Sequence, residues 1–375
     1  MIIAARGVLA RAEAGTDRAA LTFPSVTALA SGGLIATLRA AHTKDDAGER
    51  IELHRAGARG TDWTGPEATL AAPVIGGKAG SLKLCYLTET VPGSLLAAAM
   101  WVDRQTHPDA PLFNPDTDGC LPMAILLARS DDDGQSWSAW EKVPLPDNLG
   151  PPSLTAPILV LPGGGLVMSI ETNKPYDDDG PWDQRAVFLH SSDGGASWSE
   201  PRTVAHDPSG RLFNWDLRCA VRPDGGIETF AWTYDTTAGA YLDIHRRVVS
   251  GNMRDVMPPE PLGFADQPGR PAMLSDGRLV LPYVDRFGEG RICARPCMSP
   301  GGVFDGPIVL HSQDMPAAAR AASDDILTRM SRWSYGLPWA EALPDGDVIV
   351  VWYAGTPESM DIHWARLSVP EPATG

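Results

Sequence analysis

The sequence predicts an all-β protein, a six-bladed β-propeller whose four-stranded antiparallel blades close into a ring. Three observations support this prediction. A hairpin-turn motif recurs six times at intervals of 52 to 71 residues. A longer phrase, Ser-x-Asp-x-Gly-x-Ser-Trp, occurs in two copies that start 61 residues apart. The chain contains 38 Gly and 34 Pro among 375 residues, which suits many short strands joined by tight turns. Its 43% content of hydrophobic residues is too high for a disordered protein.

The hairpin-turn motif consists of an apolar run, a turn rich in Gly, Pro, Ser or Asp, and a second apolar run, with Gly at its fourth position. Its six copies are Leu29–Leu34, Thr90–Leu95, Leu161–Leu166, Arg222–Ile227, Leu274–Leu279 and Leu343–Val348. Glycine at this position suits a tight turn that needs a positive φ. Each interval between copies has room for four strands of about five or six residues with their turns, so each interval predicts one blade.

The two ends of the chain complete the ring in this prediction. The residues after the start of the last copy and those before the first copy together make one more period of 61 residues. We therefore expect Ile2 to Leu9 to form a strand of the last blade beside Ile362 to Val369, and residues 1–375 to form a single domain. Closure of this kind leaves no exposed sheet edge.

The longer phrase occupies Ser130–Trp137 and Ser191–Trp198. In the third blade, apolar runs predict four strands, over 154–161, 166–173, 186–191 and 202–205. The phrase therefore falls in the turn between the third and fourth strands. There its Asp can accept backbone N–H groups, its Gly suits a left-handed conformation, and its Trp can cover the edge of the blade. We interpret the phrase as structural.

Charge and composition exclude several classes of function. The net charge of −16 argues against a nucleic acid or an anionic membrane surface as partner, because no basic run offsets the repulsion. The 5 Cys show neither a zinc spacing nor an even disulfide set, so we expect buried, reduced thiols. No metal and no other cofactor is predicted. The absence of a leader sequence and of an apolar run of roughly 18 residues leads us to expect a cytoplasmic protein.

The longer phrase also orients the blades. If it marks one face, simple alternation puts the start of each first strand and the end of each second strand at the opposite face. Three long insertions fall on that opposite face, 106–122, 174–183 and 313–330, and the Ala-rich centre of the last one predicts a short helix. Large loops at one end of a rigid scaffold commonly carry binding residues, so we predict the functional site there.

Polar and aromatic residues accumulate at those strand ends. The candidate substrate-binding residues are Arg39, His42, Arg104, His107, Lys174, Arg218, Arg270, Tyr283, Arg286 and Trp333. The same face also presents Asn173, Trp215, Trp232 and Tyr353. Arginine can hold a carboxylate through two hydrogen bonds, which favours an acidic ligand. Asp177 to Asp179 offer carboxylates for a cation, although we favour a solvated loop.

Paired Ser-x-Asp-x-Gly-x-Ser-Trp phrases on a six-fold strand repeat resemble the sialidase superfamily, in which the phrase is called the Asp box or BNR repeat. The resemblance covers nearly the whole chain and implies a six-bladed β-propeller. Its members are implied to include sialidases, other exo-glycosidases, polysaccharide lyases and non-enzymatic propellers. In sialidases proper an Arg stands two residues before the Pro of the first strand; here Thr22 takes that place before Pro24. The resemblance therefore implies a protein other than a sialidase proper.

The resemblance also implies site residues. A general acid in the loop after the second strand of the first blade is matched by Asp45 or Asp46. The tyrosine nucleophile at the start of the last blade is matched by Tyr335, at a longer spacing to the next Asp-Gly turn, and its supporting carboxylate by Asp216.

The leading hypothesis is a glycoside hydrolase acting on an acidic or otherwise unusual sugar, with a small oligosaccharide as the expected substrate. Asp45, Asp103 or Glu171 would protonate the leaving oxygen. Tyr335 supported by Asp216, or a carboxylate alone, would attack or stabilise the oxocarbenium-like transition state.

Two alternatives remain open. In a lyase, a Tyr or His would remove the proton beside a uronate carboxylate that arginine neutralises. In a non-catalytic propeller, the same face would bind a glycan or a protein without turnover.

Overall fold

The computed structural model describes residues 1–264, 267–313 and 333–370. Over these ranges the protein is all-β, with 27 strands and one short 3₁₀ helix at Asp147–Leu149, which confirms the predicted fold class at that level. The helix predicted within 313–330 lies outside the described residues, apart from Gln313. Within the described ranges, no helix is long and apolar enough to cross a membrane.

The strands fall into successive groups along the chain. The first group is β1 (Ile2–Ala10), β2 (Ala20–Ala28), β3 (Leu34–Ala41), β4 (Arg50–Ala56) and β5 (Thr64–Leu70). The second group is β6 (Gly80–Val91), β7 (Ser94–Asp103), β8 (Met123–Ser130) and β9 (Glu141–Lys142). The third group is β10 (Pro152–Leu154), β11 (Leu159–Val160), β12 (Leu166–Thr172), β13 (Arg185–Ser191) and β14 (Arg202–His206).

The remaining strands repeat the same plan. The fourth group is β15 (Leu212–Val221), β16 (Ile227–Asp235), β17 (Ala240–Tyr241), β18 (His245–Val249) and β19 (Glu260–Pro261). The fifth group is β20 (Gln267–Pro268), β21 (Ala272–Met273), β22 (Leu279–Asp285), β23 (Arg291–Cys297) and β24 (Ile308–Ser312). The last group is β25 (Tyr335–Ala342), β26 (Val348–Thr356) and β27 (Ser359–Ser368).

Hydrogen bonding arranges these groups as a β-propeller. Groups two to five each form a separate antiparallel sheet of four or five strands, which is one blade. The first and last groups form one eight-stranded sheet, in which β27 meets β2 through a single parallel bridge between Ala20 and Met360. Four blades are therefore separate sheets in the described ranges, and the predicted count of six requires the eight-stranded sheet to contain two.

The first strands of neighbouring groups meet at the centre. Strand β2 packs against β6 and β25. The largest buried apolar cluster draws Leu21, Leu84, Leu154 and Trp339 from four different first strands. Burial of these side chains fixes the blades relative to one another and leaves the strand ends to form the site.

The predicted hairpin turns are confirmed in their backbone geometry. The fourth-position glycines, Gly32, Gly93, Gly164, Gly225, Gly277 and Gly346, all adopt φ between 80° and 94°. A side chain would be strained at such angles, which explains why the six turns share glycine.

Both copies of the longer phrase lie between third and fourth strands, as predicted. Asp132 accepts the backbone N–H groups of Gln135 and Ser136 at 3.0 and 2.8 Å and the Ser136 hydroxyl at 2.6 Å. The Ser136 hydrogen bonds, led by that hydroxyl, hold the pKa of Asp132 at about 2. Asp193 repeats the arrangement with Ser197, and Trp137 and Trp198 pack on apolar core clusters. The aspartates of the phrase are thus occupied in holding turns.

The N-terminal strand joins the last group, as predicted. Strand β1 pairs antiparallel with β27, from Ile2 opposite Ser368 to Ala10 opposite Ile362. Leu9 of β1 is buried in the central apolar cluster. All five cysteines, Cys85, Cys120, Cys219, Cys293 and Cys297, are buried and form no disulfide in the structure.

Candidate functional site

A cavity of about 470 Å³ lies at the face where the site was predicted. First-strand residues such as Lys83, Leu154 and Asp216 line it together with Glu171 and Tyr353 from second strands. Two of the three predicted insertions also reach it, because Leu112, Phe113 and Trp182 are among its lining residues. The cavity therefore collects side chains from most of the strand groups.

Bulges in the first strands turn side chains into this cavity. The pairing register shifts between Thr22 and Ser25, between Trp215 and Arg218, and between Gly336 and Trp339. A bulge inserts an extra residue, so neighbours that would alternate can face the same side. In this way Trp215, Asp216 and Arg218 all line the cavity.

Each of these three bulges contains a non-glycine residue in the left-handed region. The φ angles are 49° for Phe23, 51° for Asp216 and 46° for Leu337, and all three residues line the cavity. The left-handed conformation costs an L-residue about 1–2 kcal/mol. Strained residues that recur at one cavity mark it as a functional site.

Glu171 is a buried carboxyl group of the cavity with a raised pKa. It is the penultimate residue of β12, is only 7% exposed, and accepts the backbone N–H of Leu217 at 2.7 Å through Oε1. Burial, followed by the charge of Asp216, raises its pKa to about 8, although that hydrogen bond, Arg218 and a hydrogen bond from Thr155 act in the opposite direction. The raised pKa favours the protonated carboxylic acid at neutral pH.

Asp216 supplies a second carboxylate beside Glu171. Arg218 donates to its Oδ1 at 3.1 Å and Gln267 donates to its Oδ2 at 3.0 Å. Arg218 is itself buried and also donates to the carbonyl of Thr155. Asp216 is thus a carboxylate held in place by two donors, next to a carboxylic acid.

Two lysines lie on the wall of the cavity near Tyr353. Lys44 donates to the Trp333 carbonyl at 2.9 Å and to the Tyr353 hydroxyl at 3.1 Å. Burial, then the charges of Arg286 and Lys83, lower the pKa of Lys44 well below its ordinary value. Burial likewise lowers the pKa of Lys83 to about 8, against the opposing charge of Glu49.

Arg286 connects this cationic wall to the carboxylates. Its guanidinium lies 3.8 Å from the centroid of the Trp333 ring and donates to the Gln267 side chain at 2.7 Å. Gln267 in turn donates to Asp216. A continuous polar chain therefore joins the two sides of the cavity, and Trp333 covers the cation.

The structure brings together six of the predicted site residues. They are Asp45, Glu171, Asp216, Arg218, Arg286 and Trp333. Asp45 accepts the backbone N–H of Leu112 at 3.1 Å and lies 3.6 Å from the Lys83 ammonium and 3.7 Å from the Arg104 guanidinium.

Arg39 and Arg104 lie outside the cavity lining, bound to a buried carboxylate. Arg39 is fully buried and pairs with Glu49, and Arg104 donates to Glu49 at 2.9 Å. Burial opposes the charge of Glu49, but Lys83, Arg39 and Arg104 together hold its pKa at about 2. The predicted substrate role of these two arginines is therefore not supported by their placement.

Asp103 also lies outside the cavity, where it fixes a turn. It accepts the backbone N–H groups of Gln105 and Thr106 at 2.8 and 3.0 Å and faces Lys78 at 3.1 Å. Burial opposes its charge, yet the Thr106 hydrogen bonds and Lys78 hold its pKa at about 2. A carboxylate of this kind is ionised at neutral pH and does not suit the predicted role of proton donor.

Tyr335 is fully buried and does not line the cavity; Tyr353 from the next strand takes the cavity position. Arg270 donates to the carbonyl of Ala340 and pairs with Glu341. Tyr283 accepts a hydrogen bond from Arg295 at 3.2 Å inside another apolar cluster. These placements do not support the roles predicted for Tyr335, Arg270 and Tyr283.

The three remaining candidates lie in loops away from the cavity. His42 is exposed, with its ring 3.0 Å from the Thr16 carbonyl. His107 stacks near Tyr176 with ring centroids 4.6 Å apart, and Lys174 donates to the Gly180 carbonyl at 2.7 Å. Among the residues placed by the structure, no group of three or more His, Cys, Asp or Glu suits a metal ion, including the loop of Asp177.

Several cavity residues were not predicted as site residues. Lys44, Lys83, Tyr86 and Gln267 line the cavity without having been singled out. Lys44 follows directly after the strand end that pointed to His42 and Asp45, so its position carried a usable signal. The side chain of Lys83 reaches the cavity because the pairing register shifts between Leu82 and Leu84. A pattern of strict alternation along the strand does not reveal such a shift.

Solved structures share this fold at low sequence identity. A protein of unknown function from Dyadobacter fermentans aligns with a TM-score of 0.75 and 18% identity over 98% of this chain and 99% of that one. The intramolecular trans-sialidase of Ruminococcus gnavus aligns with a TM-score of 0.63 and 12% identity over 96% and 97%. The α-L-arabinanase of Penicillium chrysogenum, complexed with arabinobiose, gives 0.61 and 13% over 98% and 99%.

These similarities confirm the predicted resemblance to sialidases at the level of the fold. The chain has a propeller fold that sialidases and an arabinanase also have. No protein-family model and no curated protein matches the sequence.

Proposed function

We propose that this chain is a six-bladed β-propeller that hydrolyses glycosides of an acidic or otherwise unusual sugar. The observation that carries the proposal is Glu171, a buried carboxyl group with its pKa raised to about 8, beside the carboxylate of Asp216. A carboxyl group with a raised pKa beside a second carboxyl group is the arrangement that glycosidic bond cleavage requires.

The six-bladed ring follows from counting the eight-stranded sheet as two blades. Strands β25 to β27 with β1 form one antiparallel set, and β2 to β5 form another. A single parallel bridge joins the two sets, whereas neighbouring strands within each set pair over many residues. Six units of four or five strands then match the six hairpin turns of the sequence.

Glu171 acts as the general acid in the proposed reaction. Its carboxyl proton passes to the glycosidic oxygen while the bond from that oxygen to the anomeric carbon breaks. The carboxylate of Asp216 stabilises the positive charge that develops on the sugar, or attacks the anomeric carbon. Water supplies the new hydroxyl group of the sugar, and its remaining proton restores the acid.

The donors around Asp216 hold that carboxylate in a fixed orientation. Arg218 and Gln267 each hold one of its oxygens, at 3.1 and 3.0 Å. Fixed donors of this kind need no rearrangement as charge develops in the transition state. Tyr335, the predicted nucleophile, is not required in this scheme.

The cationic wall supports an acidic sugar as substrate. Lys44, Lys83 and Arg286 line the side of the cavity around Trp333 and Tyr353. The charges of Arg286 and Lys83 both disfavour the protonated form of Lys44, so a negative group on the sugar would relieve their repulsion. The glycan-processing proteins that share the fold add support for a carbohydrate substrate.

Hydrolysis is tested by incubating the protein with phenyl glycosides of neutral and acidic sugars. We expect release of both phenol and free sugar, and a loss of roughly 100- to 10,000-fold in kcat/KM for Glu171→Gln, because phenolate needs protonation to leave. Glu89→Gln is the matched control, because Glu89 also accepts backbone N–H groups but lies at a hairpin turn outside the cavity. Turnover that survives in Glu171→Gln contradicts the assignment; binding without product favours a non-catalytic propeller.

A lyase is the second candidate, because of the contact between Lys44 and Tyr353. An amine whose pKa is lowered by burial can accept a proton beside a uronate carboxylate, and Tyr353 lies 3.1 Å away to relay it. Burial raises the pKa of Tyr353 itself to about 12, so its hydroxyl stays protonated. A lyase would release an unsaturated sugar that absorbs in the near ultraviolet, which the hydrolase would not form.

A further inference from the structure

Eight aromatic side chains form a contiguous cluster that begins in the cavity. We call this set the aromatic wall; its members are Trp182, Phe213, Trp215, Trp232, Tyr234, Tyr241, Phe287 and Trp333. The centroids of neighbouring rings lie 4.2 to 6.0 Å apart. Trp182, Trp215, Trp232 and Trp333 line the cavity, and the other four rings pack behind and beside them.

The aromatic wall starts at the two carboxyl groups of the proposed reaction. Trp182 donates its indole N–H to the carbonyl of Thr172, the residue after Glu171, at 3.1 Å. Trp215 precedes Asp216 in the bulge of β15. Because a general acid must reach the leaving oxygen, the leaving group lies on the Glu171 side of the cavity and therefore against this wall.

Other apolar side chains also line the cavity. Leu112 and Phe113 come from the 106–122 insertion, and Phe23 and Leu337 occupy strained positions in bulges. Maintaining an apolar side chain in a left-handed conformation has a cost, which burial of that side chain against an apolar ligand would offset.

The aromatic wall offers few polar partners for the many hydroxyl groups of a second sugar. Each of those hydroxyl groups would leave water, and an unpaired buried hydroxyl is destabilising. The indole N–H of Trp182 is already used by the Thr172 carbonyl, and the indole N–H groups of Trp215 and Trp232, which have no partner among the described residues, suffice for the single hydroxyl oxygen of an aromatic alcohol. A flat aromatic group, in contrast, gains from ring contacts with the wall without needing such partners.

We propose that the leaving group of the substrate is an aromatic alcohol, held on the aromatic wall at Trp215. This inference rests on the proposed hydrolysis, because only a cleaved bond has a leaving group. It replaces the small oligosaccharide that was predicted as substrate from the sequence. The sugar then occupies the side of the cavity near Lys44 and Arg286, and the aromatic ring occupies the side near Trp182 and Trp215.

The test uses 2-naphthol alone as a probe, so that it does not depend on turnover. We expect saturable binding to the wild-type protein by isothermal titration calorimetry, weakened about ten-fold or more in Trp215→Ala. Trp140→Ala is the matched control, because Trp140 is half-buried outside the cavity lining, with its indole N–H bound to the Ala71 carbonyl at 3.1 Å. If Trp215→Ala does not fold, judged by its thermal melt, Trp215→Leu takes its place.

The outcomes separate this inference from the proposed function. Binding of 2-naphthol that depends on Trp215, without hydrolysis of any glycoside, leaves the aromatic site standing and overturns the hydrolase. Absent binding of 2-naphthol, or equal binding in wild type and Trp215→Ala, overturns the aromatic site. Hydrolysis in which phenyl and methyl glycosides of one sugar show the same KM also overturns it, while the hydrolase stands.

Discussion

The pKa of Glu171 depends on its burial and on two charged neighbours, Asp216 and Arg218. Burial raises the pKa of its carboxyl group first, and the charge of Asp216 raises it further. Arg218 would cancel much of this effect, but its guanidinium is shared with Asp216 and with the carbonyl of Thr155. A carboxylic acid and a carboxylate can therefore stand side by side at neutral pH.

This raised pKa predicts how stability depends on pH. The folded state holds the proton of Glu171 up to about pH 8, whereas the unfolded chain releases it near the ordinary value of 4.5. The contribution of Glu171 to the free energy of unfolding is complete below pH 4.5 and is lost as the pH rises towards 8. We expect Glu171→Gln to flatten this fall, so that at pH 9 the variant melts at a higher temperature relative to wild type than at pH 5. If the difference in melting temperature between the two proteins is the same at pH 5 and at pH 9, the pKa of Glu171 is not raised.

At the residue scale, strand ends in the sequence were a partial guide to the site. They correctly placed Glu171, Asp216 and Arg286 at the cavity face, because the position of a residue at the end of a strand fixes the position of its Cα atom. They did not show that Arg39 and Arg104 converge on Glu49, since a buried ion pair joins residues whose contact leaves no local pattern. The direction of a side chain and its partner are decided by tertiary packing.

The bulged first strands are the elements that build the site. Phe23, Asp216 and Leu337 hold equivalent positions in β2, β15 and β25, each at a register shift and each with positive φ. Only Asp216 among the three carries a carboxylate. The same backbone bulge therefore recurs in three blades, but the side chains on it make the cavity chemically asymmetric.

Strain at these bulges predicts an inverted preference between alanine and glycine. At a standard strand position glycine is less stable than alanine by roughly 0.5–1 kcal/mol. At Leu337, with φ of 46°, we expect Leu337→Gly to be more stable than Leu337→Ala by about 1 kcal/mol, because only glycine accepts that angle freely. The two variants lose nearly the same side chain, so chemical denaturation of the pair isolates the backbone contribution. A more stable alanine variant would mean that the left-handed conformation is not present in solution.

At the element scale, the sequence predicted strands better than bulges. Hairpin turns carry a glycine signature, and apolar runs carry the strands between them, so both could be read from local composition. Tyr335 was expected in the cavity from the resemblance to sialidases and is buried next to the register shift that begins at Gly336, whereas Tyr353, expected at the same face, lines the cavity. The pattern of alternation contains no information about where the register will shift.

The whole molecule separates structure and chemistry onto two faces. The Ser-x-Asp-x-Gly-x-Ser-Trp phrases close turns between third and fourth strands, where Asp132 and Asp193 are saturated with hydrogen bonds. The cavity lies at the other ends of the strands, where Glu171, Asp216, Lys44 and Arg286 line it. The repeat could be read from the sequence because it is encoded in every unit, whereas the site occurs once and is assembled from many units.

The central claim is that Glu171 gives its proton to the leaving group. The most direct measurement compares kcat/KM of wild type and Glu171→Gln on two glycosides of the same sugar, one with a phenyl and one with a dinitrophenyl leaving group. Phenolate is the poorer leaving group and needs protonation, so the account predicts a loss of about 100-fold or more for the phenyl glycoside and little loss for the dinitrophenyl glycoside. Equal losses on the two substrates would contradict the account, because they would place Glu171 in binding or folding and not in proton transfer.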